Sequence, residues 1–136
     1  MATFTTEFPV RFSDEDHARI VYFPRFFHFF HMAFEDFFGA NGMPYRDVLD
    51  GDKLGWPAVH AEADFEKPVR FGDRLKIEMS VTKIGGTSVS FAYHASCAGE
   101  SVAKGRVTVV CVDMDTLQKR DIPEKYRALF ASISAG

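Results

Sequence analysis

The chain has 136 residues, a formal charge of −3, 46% hydrophobic and 26% charged residues, which fits one globular domain over residues 1–136 with room for a single core. That charge supplies no basic surface for nucleic acid, and no apolar run approaches the roughly 18 residues a membrane span needs. The opening MATFTTEFPVRF has neither a basic nor an apolar leader region, so a cytoplasmic protein without a membrane partner is expected.

Residues 3–12 alternate, with Phe4, Thr6, Phe8, Val10 and Phe12 on one face, the period of a half-buried strand whose Pro9 suits an edge or bulge. The acidic run Ser13-Asp14-Glu15-Asp16 breaks that period. A very aromatic segment follows: eight of the 15 phenylalanines lie between Phe23 and Phe38. At helical spacing, Phe26, Phe27, Phe29, Phe30, Ala33, Phe34, Phe37 and Phe38 fill one half-circle, while Arg25, His28, Met32, Glu35 and Asp36 share the polar one. Pro24 suits the first turn, and Gly39 with Asn41-Gly42 suits the end, predicting a helix from about residue 24 to 40. Residues 43–55 read as a loop with one helical turn at 45–49. The period then returns to two over 58–69, 74–84, 88–97 and 101–112, with turn signals between them that predict antiparallel hairpins. Residues 123–133 form a short terminal helix with Tyr126, Leu129 and Phe130 on one side.

One sheet curled round one apolar helix is the α+β arrangement that buries those phenylalanines. A five-stranded sheet leaves edges and an outer face uncovered, so a homodimer is the minimum expected assembly. Cys97 and Cys111 sit in apolar strand contexts without C-x-x-C spacing and read as buried free thiols. His28 and His31 have i, i+3 spacing but no third ligand, so no metal is expected.

Chemistry is best sought at the acidic turn. Carboxylates at Asp14, Glu15 and Asp16 immediately precede a helix start, where unpaired N–H groups carry the positive end of the dipole. A carbonyl held by an N–H near Tyr22 or Phe23 would lie beside a carboxylate able to attack it or activate water. Taken alone, these residues also fit a capped, solvated turn.

The segment Asp14-Glu15-Asp16-His17-Ala18-Arg19-Ile20-Val21-Tyr22-Phe23-Pro24, with its aromatic helix, resembles the active-site signature of the 4-hydroxybenzoyl-CoA thioesterase family of hotdog-fold proteins. Length, strand order, Pro68 to Asp73 and the LKIEMSVTKIGGTSVSF stretch fit as well. The resemblance implies a hotdog fold: a five-stranded antiparallel sheet around one long helix, with a short C-terminal helix. It implies an acyl-CoA thioesterase releasing free acid and CoA, with Asp16 as nucleophile or general base and the Phe23 N–H polarising the thioester carbonyl. The substrate-binding positions become Tyr22, His31, Tyr45, Arg19, Lys83 and Ser88, with His31 helping to read an aromatic acyl group. No cofactor is implied, since coenzyme A is part of the substrate, and a homodimer or homotetramer is. Two positions depart from the pattern: Arg19 stands where the family has glycine, and Gly85-Gly86-Thr87 lacks the basic cluster some members use for the nucleotide. Rival readings are a hotdog dehydratase or hydratase, which needs a histidine and a carboxylate converging on the acyl chain, and a non-catalytic acyl-CoA binding module.

Overall fold

The computed structural model describes residues 3–134, so the ends of the domain expected over 1–136 lie outside the described residues. Strand β1 (Phe4–Pro9) leads through a 3-10 turn (Phe12–Asp14) and the acidic loop into helix α1 (Arg25–Ala40). Helix α2 (Tyr45–Asp50), strands β2 (Leu54–Gly55), β3 (Ala58–Phe65), β4 (Arg74–Ile84), β5 (Ser88–Cys97), β6 (Glu100–Val110) and β7 (Val112–Asp113), and helix α3 (Glu124–Ala131) complete the chain. Five strands form one antiparallel sheet in the order β1-β4-β5-β6-β3, and β2 pairs with β7 beside it.

Helix α1 buries most of the arc its spacing predicts, namely Phe26, Phe29, Phe30, Ala33, Phe34, Phe37 and Phe38; Phe27, expected on that arc, is only half-buried because it borders a cavity beside the sheet. These rings interlock with the sheet and α3, Phe34 lying 5.4 Å from Phe91 and Phe38 lying 6.0 Å from Phe130 between centroids. The helix ends on Gly42 at φ +76°, with the Gly42 N–H donating to Gly39 at 3.1 Å and the Met43 N–H donating to Phe38 at 2.9 Å. This paired closure needs a left-handed residue, which glycine supplies without a Cβ clash. On β6, Gly105 faces the helix, where a Cβ would collide with the Phe30 ring; the missing side chain lets α1 sit close to the sheet.

Two features differ from expectation. The 58–69 and 74–84 segments are not a hairpin: β3 crosses to the far edge beside β6, while β4 pairs with β1 and β5. The turn around Gly72 reverses the chain but does not choose its neighbour, and period-2 patterning reports a strand's face rather than its partner. Phe12 leaves the buried face of the first strand because the 3-10 turn begins there; it is 75% exposed, its ring 5.9 Å from Phe71. Cys97 and Cys111 are both free thiols; Cys111 is buried as expected, whereas Cys97, at the end of β5 next to the turn into β6, is only half-buried. Among the described residues, no helix is long and apolar enough to cross a membrane.

Candidate active site

The loop between β1 and α1 is built on a buried carboxylate. Asp14 is 4% exposed; its Oδ2 accepts the Arg11 N–H at 2.8 Å, and its Oδ1 accepts Arg25 Nη2 at 2.5 Å and Nε at 3.1 Å. A carboxylate out of water must be paired, so Arg25 anchors this turn rather than simply standing on the solvated face of α1. The Asp14 carbonyl accepts the Tyr22 N–H at 2.9 Å, and the chain between them folds back with the Asp16 N–H on Ile20 at 3.1 Å and the Arg19 N–H on Asp16 at 3.0 Å. Glu15 ties the loop to the turn before β4 by accepting the Phe71 N–H at 3.0 Å. Asp16 is exposed at the tip, with Oδ1 accepting the Ala18 N–H at 2.8 Å. The three carboxylates thus have three different environments, and Asp16 is the one facing solvent.

Arg19 adopts φ +65°, the left-handed conformation that glycine takes readily and arginine takes at a cost of about 1–2 kcal/mol. Arg19 therefore follows a tight backbone path that glycine would take without strain, three residues after Asp16.

Helix α1 opens with the Arg25 N–H on Tyr22 at 2.8 Å, the Phe26 N–H on Phe23 at 3.1 Å and the Phe27 N–H on Pro24 at 3.1 Å. Pro24 has no N–H, and that of Tyr22 is taken by Asp14. Among the described residues the Phe23 N–H donates to no acceptor, which leaves it as the open donor at the positive end of the helix. Of the two N–H groups considered from sequence, only this one is free. A hollow of about 290 Å³ adjoins it, lined by Ile20, Phe23, Phe26, Phe65, Lys67 and Val69 among others. Tyr22 and Phe23 are exposed at its side, their rings 5.5 Å apart.

Further along α1 a second cavity of about 310 Å³ opens against β3 and β6, lined by Phe27, Phe30, His31, Phe34, Tyr93 and Val107 among others. The His31 ring is half-exposed, with Nε2 3.4 Å from Glu35 Oε2, and stands 5.9 Å from Phe34 and 6.1 Å from Tyr45. Glu35 therefore faces His31 as well as solvent. Burial, helped by the Glu35 charge, pushes the Tyr45 phenol up to about 12, so it stays protonated and able to donate. The two hollows follow one seam: Phe23 to His31 spans about 12 Å along a helix, and Phe65 to Ala61 about 13 Å along a strand.

Lys83 and Ser88 lie apart from both hollows, flanking the β4–β5 turn; Lys83 is exposed and Ser88 half-buried. Within one chain Phe23 and His31 line the α1 seam, Tyr22 stands beside Phe23 and Tyr45 beside His31 without lining either hollow, Asp16 and Arg19 lie on the adjoining loop, and Lys83 and Ser88 are not brought to them. Sequence reading passed over Phe65, 5.8 Å from Phe23 and 5.4 Å from Phe26, although a phenylalanine closing an edge strand is a visible signal. It also left Tyr93 unweighed, because strand periodicity marks that residue only as core. A roomier depression of about 680 Å³ lined by Glu7, Arg74, Glu78 and His94 among others holds none of the candidate residues.

Comparison with known proteins gives this geometry a setting. The profile of the thioesterase-like superfamily matches residues 10–130. A 1,4-dihydroxy-2-naphthoyl-CoA hydrolase from Nostoc punctiforme is 32% identical over 123 residues, covering 90% of this chain and 83% of that protein. The crystal structure of a 1,4-dihydroxy-2-naphthoyl-CoA thioesterase from Synechocystis superposes with a TM-score of 0.87 at 26% identity, covering 97% of this chain and 98% of that one. A gentisyl-coenzyme A thioesterase superposes with a TM-score of 0.85 at 28% identity, covering 93% and 98%.

Proposed function

The chain belongs to the thioesterase-like superfamily and is a thioester hydrolase of the hotdog fold, and on that premise we propose that its substrate is an aromatic acyl-CoA, cleaved to the free acid and CoA. The observation that carries this reading is the unpartnered Phe23 N–H at the start of α1, next to a hollow and one loop away from the exposed Asp16. The thioester oxygen accepts that N–H, which stabilises the charge developing on it in the transition state. Asp16 then either attacks the carbonyl carbon or takes a proton from the water that does. In both routes water supplies the hydroxyl of the acid, the C–S bond breaks, and the thiolate leaves to be protonated. The aryl group lies along the seam toward His31, whose imidazole can donate or accept a hydrogen bond near neutral pH. Relatives that act on dihydroxynaphthoyl-CoA and gentisyl-CoA support an aromatic acyl group.

In this reading Tyr22 and Tyr45 flank the substrate, and Arg19, Lys83 and Ser88 contact its CoA portion, the last two from a second subunit. Strand β3 supports a homodimer, because it is a sheet edge carrying Val59 at 59% and Phe65 at 44% exposure. Exposed apolar side chains on an unpaired edge favour pairing with a second β3. The proposal extends to a soluble cytoplasmic enzyme needing no cofactor. Among the described residues no histidine lines the hollow at the helix start, which favours hydrolysis over a hydratase that needs one there.

A thiol-release assay across benzoyl-, hydroxybenzoyl-, dihydroxynaphthoyl- and straight-chain acyl-CoA thioesters tests the reading. Aromatic thioesters should give the highest kcat/KM; a preference for straight chains would refute the aromatic assignment, and an enoyl product would replace hydrolysis with hydratase chemistry.

A further inference from the structure

The cavity between α1 and the sheet holds a hydroxyl that the fold does not use. Tyr93 projects from β5 with its ring stacked on Phe30, centroids 4.9 Å apart and planes at 14°, and is only 4% exposed. Buried tyrosines ordinarily give their hydroxyl a partner, yet that of Tyr93 makes no hydrogen bond among the described residues. It is not sealed off either, because the one fully enclosed side-chain N or O without a partner among those residues is Trp56 Nε1. The Trp56 ring is packed among aromatic rings, 5.3 Å from Phe130 at 89° and 5.7 Å from Tyr126. Tyr93 lines the cavity of about 310 Å³, as do His31 and Trp56, the Trp56 N–H being fully enclosed.

His31 comes to that cavity from the helix and Tyr93 from the sheet, with the apolar walls of Phe27, Phe34, Val107 and Val109 around them. The volume is at the lower end for small-molecule sites. Planar apolar walls with two polar groups from opposite layers are what an arene with two polar substituents requires. We propose that Tyr93 is a specificity-determining residue whose hydroxyl hydrogen-bonds an oxygen substituent on the acyl ring, so that the preferred acyl group is an aromatic acid with two ring hydroxyls, one met by Tyr93 and the other by His31. This rests on the aromatic acyl-CoA reading. Burial pushes the Tyr93 phenol up, so it stays protonated across the working range and can both donate and accept.

The test compares parent, Tyr93→Phe and His31→Leu on benzoyl-CoA, 4-hydroxybenzoyl-CoA, 2,5-dihydroxybenzoyl-CoA and 1,4-dihydroxy-2-naphthoyl-CoA. Tyr93→Phe removes one oxygen and keeps the stacked ring. Its kcat/KM on a dihydroxyaryl thioester should fall about tenfold or more, the scale of one lost hydrogen bond, while benzoyl-CoA changes by less than about threefold. Because no intramolecular bond is lost, its Tm should stay level or rise. Equal losses on all four substrates, or none, overturn the role of Tyr93 while leaving aromatic hydrolysis standing. A parent that cleaves none of the four overturns the aromatic reading and this inference with it.

Discussion

Removing the guanidinium of Arg25 isolates a buried carboxylate. Asp14 has a side chain only 5% exposed and meets Arg25 at 2.5 Å, the arginine itself being 38% exposed. In Arg25→Ala two of the three bonds to that carboxylate disappear, leaving the Arg11 N–H as its remaining partner. Breaking a fully buried pair costs about 3–5 kcal/mol and losing a bond to a charged group about 1.5–3. Arg25 is more than a third exposed, so water screens the pair and partly replaces the lost partner; the expected loss is about 2 kcal/mol. Urea unfolding of parent, Arg25→Ala, Asp14→Asn and the double variant measures it. The double variant should lose clearly less than the two single losses added together, because a neutral side chain at Asp14 no longer needs the arginine. A loss below about 0.5 kcal/mol in Arg25→Ala would show that the pair does not hold the turn, and that the helix face is as solvated there as its polarity suggests.

Three further outcomes follow from other parts of the molecule. Phe34→Ala empties a site 3% exposed and packed against Phe38, Phe91 and Tyr45, and should cost about 3–5 kcal/mol in denaturant unfolding; a near-neutral variant would mean that this face of α1 is not the core. Arg19→Gly relieves φ +65° but loosens the unfolded chain, so stability should rise by about 0.5–1 kcal/mol, and a fall in Tm would refute the strained-turn account. Asp52 is held below the ordinary carboxylate range, first by its hydrogen bond with Lys125 and then by that from Tyr126. A lowered folded pKa contributes stability above the unfolded value, near pH 4, that is lost as pH falls through the folded one. Asp52→Asn should therefore lower Tm at pH 7 and match the parent in strong acid; an equal deficit at both would assign the effect to shape rather than charge.

How much of this was legible in the sequence depends on the range of the signal. The span and buried face of α1 were readable because seven phenylalanines at helical spacing leave one way to hide them, and the strands because their period is local. The placement of β3 at the far edge was not, since alternation says which face is buried and nothing about the neighbouring strand. Arg25 and Asp14 are 11 residues apart, and nothing in their types distinguishes a buried pair from two solvated charges. The acidic turn drew attention by composition, but its division of labour came from geometry. Asp14 is buried and paired, Glu15 is bonded to the Phe71 N–H, and Asp16 is left at the tip. Tyr93 read as core because it is core; only its unpartnered hydroxyl marks it as more.

The central claim is that Asp16 performs the chemistry beside the Phe23 N–H, and Asp16→Asn tests it most directly. The substitution keeps the side chain's shape and an oxygen for the Ala18 N–H while removing the charge, so folding and Tm should be those of the parent. Thiol release from the best aromatic acyl-CoA, followed at saturating substrate, should fall by at least about a hundredfold. A folded Asp16→Asn enzyme working within a few-fold of the parent would contradict the account.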